Sequence, residues 1–298
     1  MSNYREYDDY EQPRRQRGSG MSAFKLRLLI ALAIAGFSLV SYLSNTTVNP
    51  ITGEKQRVGG MSQEQEITMG LQAAPEMARQ FGGLSDEIRA TQDVKEMGAR
   101  LVNALYHKLA DEGKKLSNEG NSIPYAFEFH LLNDSQTVNA FALPGGQIFV
   151  TEAIYNSFTH EGQLAGVLGH EIGHVLERHS AQQLAQGQMW QELGGAAGVA
   201  GGDVNSARMA QMVGSLISMQ YGRKDELESD RWGVELMVMA GYHPAHMLEV
   251  MDILEKASGG NGGTPEFLST HPRPANRREY INQVIADRFP YGIPDGLK

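Results

Sequence analysis

An apolar run near the N-terminus sets the first constraint on how this chain can fold. Residues 28–44 (LLIALAIAGFSLVSYLS) form a 17-residue stretch without a charged side chain, a length at the lower limit for a membrane-spanning helix. Lys25 and Arg27 precede the run, and their long side chains can extend its effective length toward the headgroups. The sequence therefore predicts one transmembrane helix over 22–44, with the rest of the chain folded outside the bilayer.

A cleavable signal peptide and a buried soluble helix are the alternatives for this run. Signal peptides have a short charged start and an A-x-A-like cleavage site, whereas 27 residues precede the run and no A-x-A follows it. Six Lys and Arg residues in 1–27 outnumber four acids, which favours a cytoplasmic N-terminus. We expect a single-pass membrane protein whose body is extracytoplasmic, on the periplasmic side of the inner membrane in a Gram-negative cell.

Composition divides the remainder of the chain. Residues 1–21 are polar and predict a disordered cytoplasmic tail, and the Pro and Gly residues of 45–61 predict a linker. The body, residues 62–298, has the length of one domain. A net charge of −9 lacks the basic footprint of a nucleic-acid-binding protein. The absence of cysteine excludes disulfides, a thiol nucleophile and thiolate metal sites.

Local patterns predict an α+β body that is mostly helical, with a small sheet. Ser62 followed by Gln65 matches a helix-capping box. Around 125–151, aromatic and β-branched residues flank a Pro144-Gly145-Gly146 turn, which predicts a short sheet. Patterns after residue 160 are mostly helical. A further helix is predicted by apolar residues at helical spacing, namely Val94, Met97, Leu101, Val102, Leu105 and Leu109.

Residues 170–174 (HEIGH) form an HExxH motif inside a helical pattern of apolar residues over 161–178. On a helix, positions i and i+4 share a face, so His170 and His174 present two imidazoles to one point. Imidazoles suit zinc, and Glu171 beside the metal can take a proton from a zinc-bound water. We expect Thr159 to cap this helix.

A catalytic zinc commonly has three protein ligands and one open position, so this motif requires a third ligand. The stretch 223–230 (RKDELESD) supplies candidates. Glu226 and Asp230 share a helix face, so that one can bind the metal while the other orients a ligating histidine. Spacing alone leaves Glu228 and Asp225 open as alternatives to Glu226.

The motifs resemble those of the zinc metallopeptidases of family M48, the HtpX, BepA and Oma-type proteases. Four segments occur in the family's order over roughly 62–285, namely VNAFALPGGQIFVT, HEIGHVLERH, YGRKDELESDRWG and THPRPANRR. The single predicted anchor is most similar to the BepA and Oma group. The resemblance implies a zincin-type peptidase domain with one zinc ion per chain. It assigns His170, His174 and Glu226 as ligands and Asp230 as the residue behind them.

The resemblance implies further site residues. It makes 137–142 an edge strand that receives substrate as an added β-strand, with Asn139 and Ala140 as backbone contacts; a buried hairpin is the alternative. His271 matches a histidine that contacts substrate or takes the open metal position. Arg277 matches a cationic position that binds a carboxylate or supports the site. His179 matches the end of the helix motif, but it is interpreted as structural because it points elsewhere on the helix.

The leading interpretation is a membrane-anchored zinc metalloendopeptidase, with Glu171 as general base and His271 as first candidate to stabilise the oxyanion. By resemblance its substrates are extended, misfolded envelope proteins. A tethered periplasmic chaperone with little cleavage and a closed structural zinc site, with His271 as fourth ligand, are the alternatives. The presence of Glu171 favours a protease. The stretch 184–212 matches no motif, and our hypothesis is a lid or plug over the cleft.

Overall fold

The structure, a computed structural model of the full chain, describes residues 32–33, 36–37, 39–113, 125–195, 215–216, 219–258, 266–271 and 276–298. The predicted tail 1–21, most of the predicted anchor 22–44 and the larger part of 184–212 lie outside these ranges. Residues 39–44 are helical. Among the described residues, no helix has both the length and the apolar character needed to cross a bilayer.

The segment predicted as a linker contains a small hairpin. Strands β1 (Thr47–Val48) and β2 (Lys55–Gln56) pair antiparallel. Asn49 closes the turn, because its Oδ1 accepts the backbone N–H of Ile51 at 2.9 Å, an arrangement typical of Asx turns. Ile51 is 2% exposed and Val58 is 1% exposed. This hairpin is therefore packed into the body, and its Pro and Gly residues belong to a tight turn.

Two long helices follow the hairpin. Helix α1 (Gln63–Gln80) begins at Ser62, whose side chain accepts from the backbone of Gln65 while the Gln65 side chain bonds back to Ser62. The predicted capping box is thus confirmed. Helix α2 (Ile88–Asp111) buries every member of the predicted apolar stripe from Val94 to Leu109, which confirms that the stripe packs in the core.

The predicted small sheet is also confirmed. Strands β3 (Glu128–Leu132), β4 (Ala140–Ala142) and β5 (Gln147–Thr151) have the order β3-β5-β4, with β3 parallel and β4 antiparallel to β5. The turn at 144–146 requires glycine at 145, where φ is +81° and a Cβ would lie 2.4 Å from the Cα of Ile67. Strand β4 lies at an edge of this sheet.

The remaining elements are helices around one central helix. They are α3 (Glu152–Tyr155), α4 (Glu161–Leu176), α5 (His179–Gly195), α6 (Arg223–Met239), α7 (His246–Ser258), α8 (Glu266–Thr270) and α9 (Arg277–Arg288). Every residue from Gly162 to Leu176 is buried, so the helix that carries the HExxH motif forms the middle of the core. The mostly helical α+β class, with a small sheet beside the HExxH helix, is confirmed.

Candidate metal centre

The residue that caps helix α4 lies one position later than the sequence predicts. The cap is His160, whose Nδ1 accepts the backbone N–H of Gly162 at 3.0 Å, while the side chain of Gln163 accepts the backbone N–H of His160 at 3.3 Å. The expectation that Thr159 caps the helix is wrong. An imidazole nitrogen takes over the role that a hydroxyl or carboxylate oxygen usually has at this position.

Close packing of α4 on α6 assembles the centre. A Cβ at Gly173 would lie 2.9 Å from the Cβ of Trp232 and 3.0 Å from the Cα of Ser229. A Cβ at Gly169 would lie 3.1 Å from the Cα of Gly233. Since no side chain separates the two backbones, the acidic face of α6 reaches the imidazoles of α4.

Four side chains converge on one point. His170, His174, Glu226 and His271 each present a nitrogen or oxygen atom within 4.8 Å of the others. The Nε2 atoms of His170 and His174 are 3.1 Å apart, and Nδ1 of His271 lies 3.3 Å from His170 Nε2 and 3.0 Å from Glu226 Oε1. Tetrahedral zinc with bonds of about 2.0–2.1 Å places its ligand atoms about 3.3 Å apart. The donor set and its spacing fit zinc.

The charge states of the cluster suit metal binding. Burial holds the pKa of His174 well below its usual range, so its imidazole is neutral. Burial raises the pKa of Glu226, but the nearby charges of His271 and Arg277 outweigh it, and this pKa lies well below its usual range. A neutral imidazole and an ionised carboxylate are the forms that ligate.

Glu171 lies beside this cluster. It is fully buried, and neither of its carboxylate oxygens makes a hydrogen bond within the described part of the chain. Its Oε1 lies 3.6 Å from Nε2 of His271, an atom that also lacks a hydrogen-bond partner there. Burial raises the pKa of Glu171. Glu171 and His271 thus leave polar atoms free to bind other groups next to the convergence point.

Asp230 and Arg277 lie behind the cluster. Asp230 Oδ1 lies 3.0 Å from Nδ1 of His170, and Arg277 donates to both oxygens of Asp230, at 2.8 and 2.5 Å. Arg277 Nη1 lies 2.8 Å from Glu226 Oε2. Arg277 is 2% exposed, so the structure gives it two internal carboxylates as partners. This geometry fits the supporting role that is one of the two roles expected of Arg277.

The ring of His174 has two aromatic neighbours that the sequence patterns do not predict, His179 and Tyr221. Nδ1 of His179 lies 3.0 Å from Nδ1 of His174. Helical spacing placed His179 elsewhere, but Arg178 has a φ of +57°, and this left-handed residue ends α4 and redirects the chain. The ring of Tyr221 lies 3.9 Å from that of His174, centroid to centroid, and its hydroxyl lies 3.0 Å from Ser180 Oγ.

The backbone of the edge strand is used on one side. Both the N–H and the C=O of Asn139 bond to Thr151, at 3.1 and 3.0 Å. Because strand residues alternate, the backbone groups of Ala140 point to the other side. The backbone of Asn139 is therefore not available for the expected contact with substrate. Its side-chain Oδ1 is buried and makes no hydrogen bond with the described residues.

A narrow cavity of about 30 Å³ lies between this edge and the cluster. Its lining includes Asn139, Phe141 and Ala142 from this edge, His271 from the cluster, and Leu216, Met219 and Tyr221. Leu216 and Met219 are each 8% exposed. A volume of this size holds about one water molecule, so the edge is covered in this structure.

Comparison with known proteins matches residues 102–285, more than half of the chain, to the model of peptidase family M48. The chain is 34% identical over 186 residues to the beta-barrel assembly-enhancing protease of Yersinia pestis. The aligned region covers 58% of this chain and 38% of that protein. It is 27% identical over 283 residues to the mitochondrial metalloendopeptidase OMA1 of Saccharomyces cerevisiae, covering 90% and 79%. The chain thus spans well under half the length of the bacterial relative.

Proposed function

This chain belongs to peptidase family M48, and from that premise we propose that it is a zinc-dependent metalloendopeptidase acting on extended protein segments. One observation carries the proposal. The imidazoles of His170 and His174 and the carboxylate of Glu226 converge in a buried cluster, and the free carboxylate of Glu171 lies beside them. This is the donor set of a catalytic zinc with a base next to it.

His170, His174 and Glu226 would hold the zinc ion, and His271 lies where it can be a fourth ligand or a substrate contact. When bound, zinc supplies polarisation of the scissile carbonyl and acidification of a water molecule. Asp230 accepts a hydrogen bond from the Nδ1–H of His170, which leaves the Nε2 lone pair of that ring directed at the cluster. Arg277 holds Asp230 and Glu226 in place.

Glu171 is the general base of the proposed reaction. Its oxygens accept no hydrogen bond from the described residues, and burial raises its pKa, so it binds a proton more strongly than an exposed carboxylate. It takes the proton from the attacking water and delivers it to the leaving amine. His271, with Nε2 lacking a partner 3.6 Å from Glu171, is placed to donate a hydrogen bond to the developing oxyanion.

The substrate in this proposal is an extended peptide that adds to the free side of β4. The backbone of Ala140 points to that side, and the side chain of Asn139 lines the cavity beside it. Main-chain pairing of this kind makes little demand on substrate sequence. Because the cavity is only about 30 Å³, binding requires Leu216, Met219 and Tyr221 to move away from the edge.

The proposed setting is a membrane surface. The support is the uncharged run at 28–44 behind Lys25 and Arg27, and on this basis we propose a single anchor at 22–44, with the tail 1–21 in the cytoplasm and the peptidase domain outside it. Relatives of this chain include a beta-barrel assembly-enhancing protease and a mitochondrial metalloendopeptidase. We extend the proposal to misfolded envelope proteins as substrates.

Casein digestion by the full chain in detergent tests this function. We expect cleavage that stops with a zinc chelator and returns when zinc is added. His170→Ala should lose stoichiometric zinc, because one of three ligands is gone, while His130→Ala, a change at a histidine outside the cluster, should keep it. Cleavage that survives removal of all metal, or full zinc content in His170→Ala, would contradict the proposal.

A further inference from the structure

A contact between two buried imidazoles decides the state of one proposed zinc ligand. His174 and His179 are each 1% exposed, and their Nδ1 atoms are 3.0 Å apart. At that distance one nitrogen carries the proton and the other accepts it. If His174 carries it, the Nε2 of the neutral ring has a lone pair for a metal. If His179 carries it, neutral His174 is protonated at Nε2 and does not ligate.

The contact of His179 Nε2 with Glu228 determines which of the two imidazoles has the proton between their Nδ1 atoms. Its Nε2 lies 3.4 Å from Oε2 of Glu228, and Nζ of Lys224 lies 2.9 Å from the other oxygen of Glu228. The ammonium of Lys224 pairs with this carboxylate as a salt bridge, which holds Glu228 in its ionised form. An ionised carboxylate only accepts hydrogen bonds. The Nε2 of His179 therefore donates, and in a neutral ring its Nδ1 accepts.

We propose that Glu228 and His179 are positioning residues that set the tautomer of His174 so that its Nε2 is free to bind zinc. Glu228 accepts a hydrogen bond from the Nε2–H of His179, and Nδ1 of His179 accepts a hydrogen bond from the Nδ1–H of His174. The inference rests on the proposed zinc site. It gives His174 a relay through a second imidazole, whereas His170 meets its carboxylate, Asp230, directly.

The same residues offer a competing arrangement. His179, Asp225 and Glu228 present three possible ligand atoms within 4.8 Å of one another, which is also the geometry of a second cation site. Two contacts favour the relay. Lys224 already pairs with Glu228, and Oδ2 of Asp225 accepts the backbone N–H of Gly222 at 3.0 Å. Metal stoichiometry separates the two arrangements.

Zinc affinity tests the relay, measured on the full chain in detergent by competition with a chelator of known affinity. Glu228→Gln and His179→Ala should weaken zinc binding by about 10–100-fold, the usual effect of losing a partner of a ligating histidine. Glutamine can donate to His179 and so permit the wrong tautomer. His179→Asn should recover most of the loss, because asparagine Oδ1 replaces the Nδ1 acceptor.

Glu235→Gln is the matched control, since Glu235 lies on the same helix and pairs with Arg288, away from the centre. It should bind zinc as the unchanged chain does. Unchanged affinity in both Glu228→Gln and His179→Ala would overturn the relay, as would His179→Asn binding no better than His179→Ala. Two zinc ions per unchanged chain, with one lost in Glu228→Gln, would replace the relay by a second metal site. Failure of the unchanged chain to bind zinc would instead remove the proposed function.

Discussion

Arg277 holds two carboxylates of the metal centre, those of Glu226 and Asp230, through charged contacts. From the sequence, its charge was compatible with a substrate carboxylate or with support of the site. The structure places its guanidinium 2.8 Å from Glu226 and in a two-bond contact with Asp230. Sequence spacing identified Glu226 and Asp230 as one helix face, but it could not show that a residue 47 positions after Asp230 closes that face.

Arg277→Met should destabilise the protein strongly. The change leaves Asp230 and Glu226 as buried charges without their cation, and breaking a buried ion pair costs about 3–5 kcal/mol. Arg278→Met is the control, because the adjacent Arg278 is exposed and pairs with Asp252 at the surface, where such pairs contribute about 0–1 kcal/mol. Urea unfolding measures both. A raised KM for casein with unchanged unfolding would instead support direct binding of substrate by Arg277.

Helices α1, α2 and α4 and the small sheet could be predicted because their signals are local. The apolar stripe from Val94 to Leu109, the capping box at Ser62 and the turn at 144–146 each lie within one element. The β1–β2 hairpin depends on contacts with distant residues. Asn49 Nδ2 donates to the backbone carbonyl of Leu176 at 2.6 Å, and Gln56 Nε2 donates to that of Glu177 at 2.8 Å. No local pattern in 45–61 shows that its amides satisfy the end of α4.

Removing the Gln56 amide should weaken the hold of this hairpin on α4. Gln56 is 3% exposed, so Gln56→Ala leaves a buried carbonyl with one donor fewer and should lower the free energy of unfolding by about 1–3 kcal/mol. Urea unfolding of the full chain measures the change. Lys55→Ala, at the neighbouring exposed position, should have little effect. Equal stability of the two variants would show that 45–61 acts only as a connection.

Across the whole molecule, parts of the chain that are distant in sequence meet at one small cavity. Strand β4 and the 266–271 segment form its walls, and Leu216 and Met219 cover it. Local signals in the sequence indicate the edge strand and His271, whereas the hypothesis of a lid at 184–212 concerns a stretch that lies mostly outside the described residues. Which residues cover the edge depends on how the chain between α5 and α6 returns to the sheet, and no periodic pattern specifies that.

Met219→Ala should raise the rate of casein cleavage. Burial of a methionine side chain contributes about 1.5–3 kcal/mol. Any part of this free energy that favours the covered state opposes substrate binding. Removing it should therefore raise the cleavage rate by about twofold to tenfold. Met251→Ala is the control, because Met251 is 9% exposed and lies on α7, away from the cavity. A gain shared by both variants, or none in Met219→Ala, would argue against Met219 as part of the cover.

The central claim is that Glu171 is the base of a zinc peptidase, and one comparison tests it most directly. Casein cleavage is measured for the unchanged chain and for Glu171→Gln at equal zinc content. Glutamine keeps the shape of the side chain and lacks the proton-accepting carboxylate, so zinc should stay bound while kcat falls by about 10²–10⁴-fold, the range for loss of a general base. Zinc-loaded Glu171→Gln that cleaves casein at the unchanged rate would contradict this account.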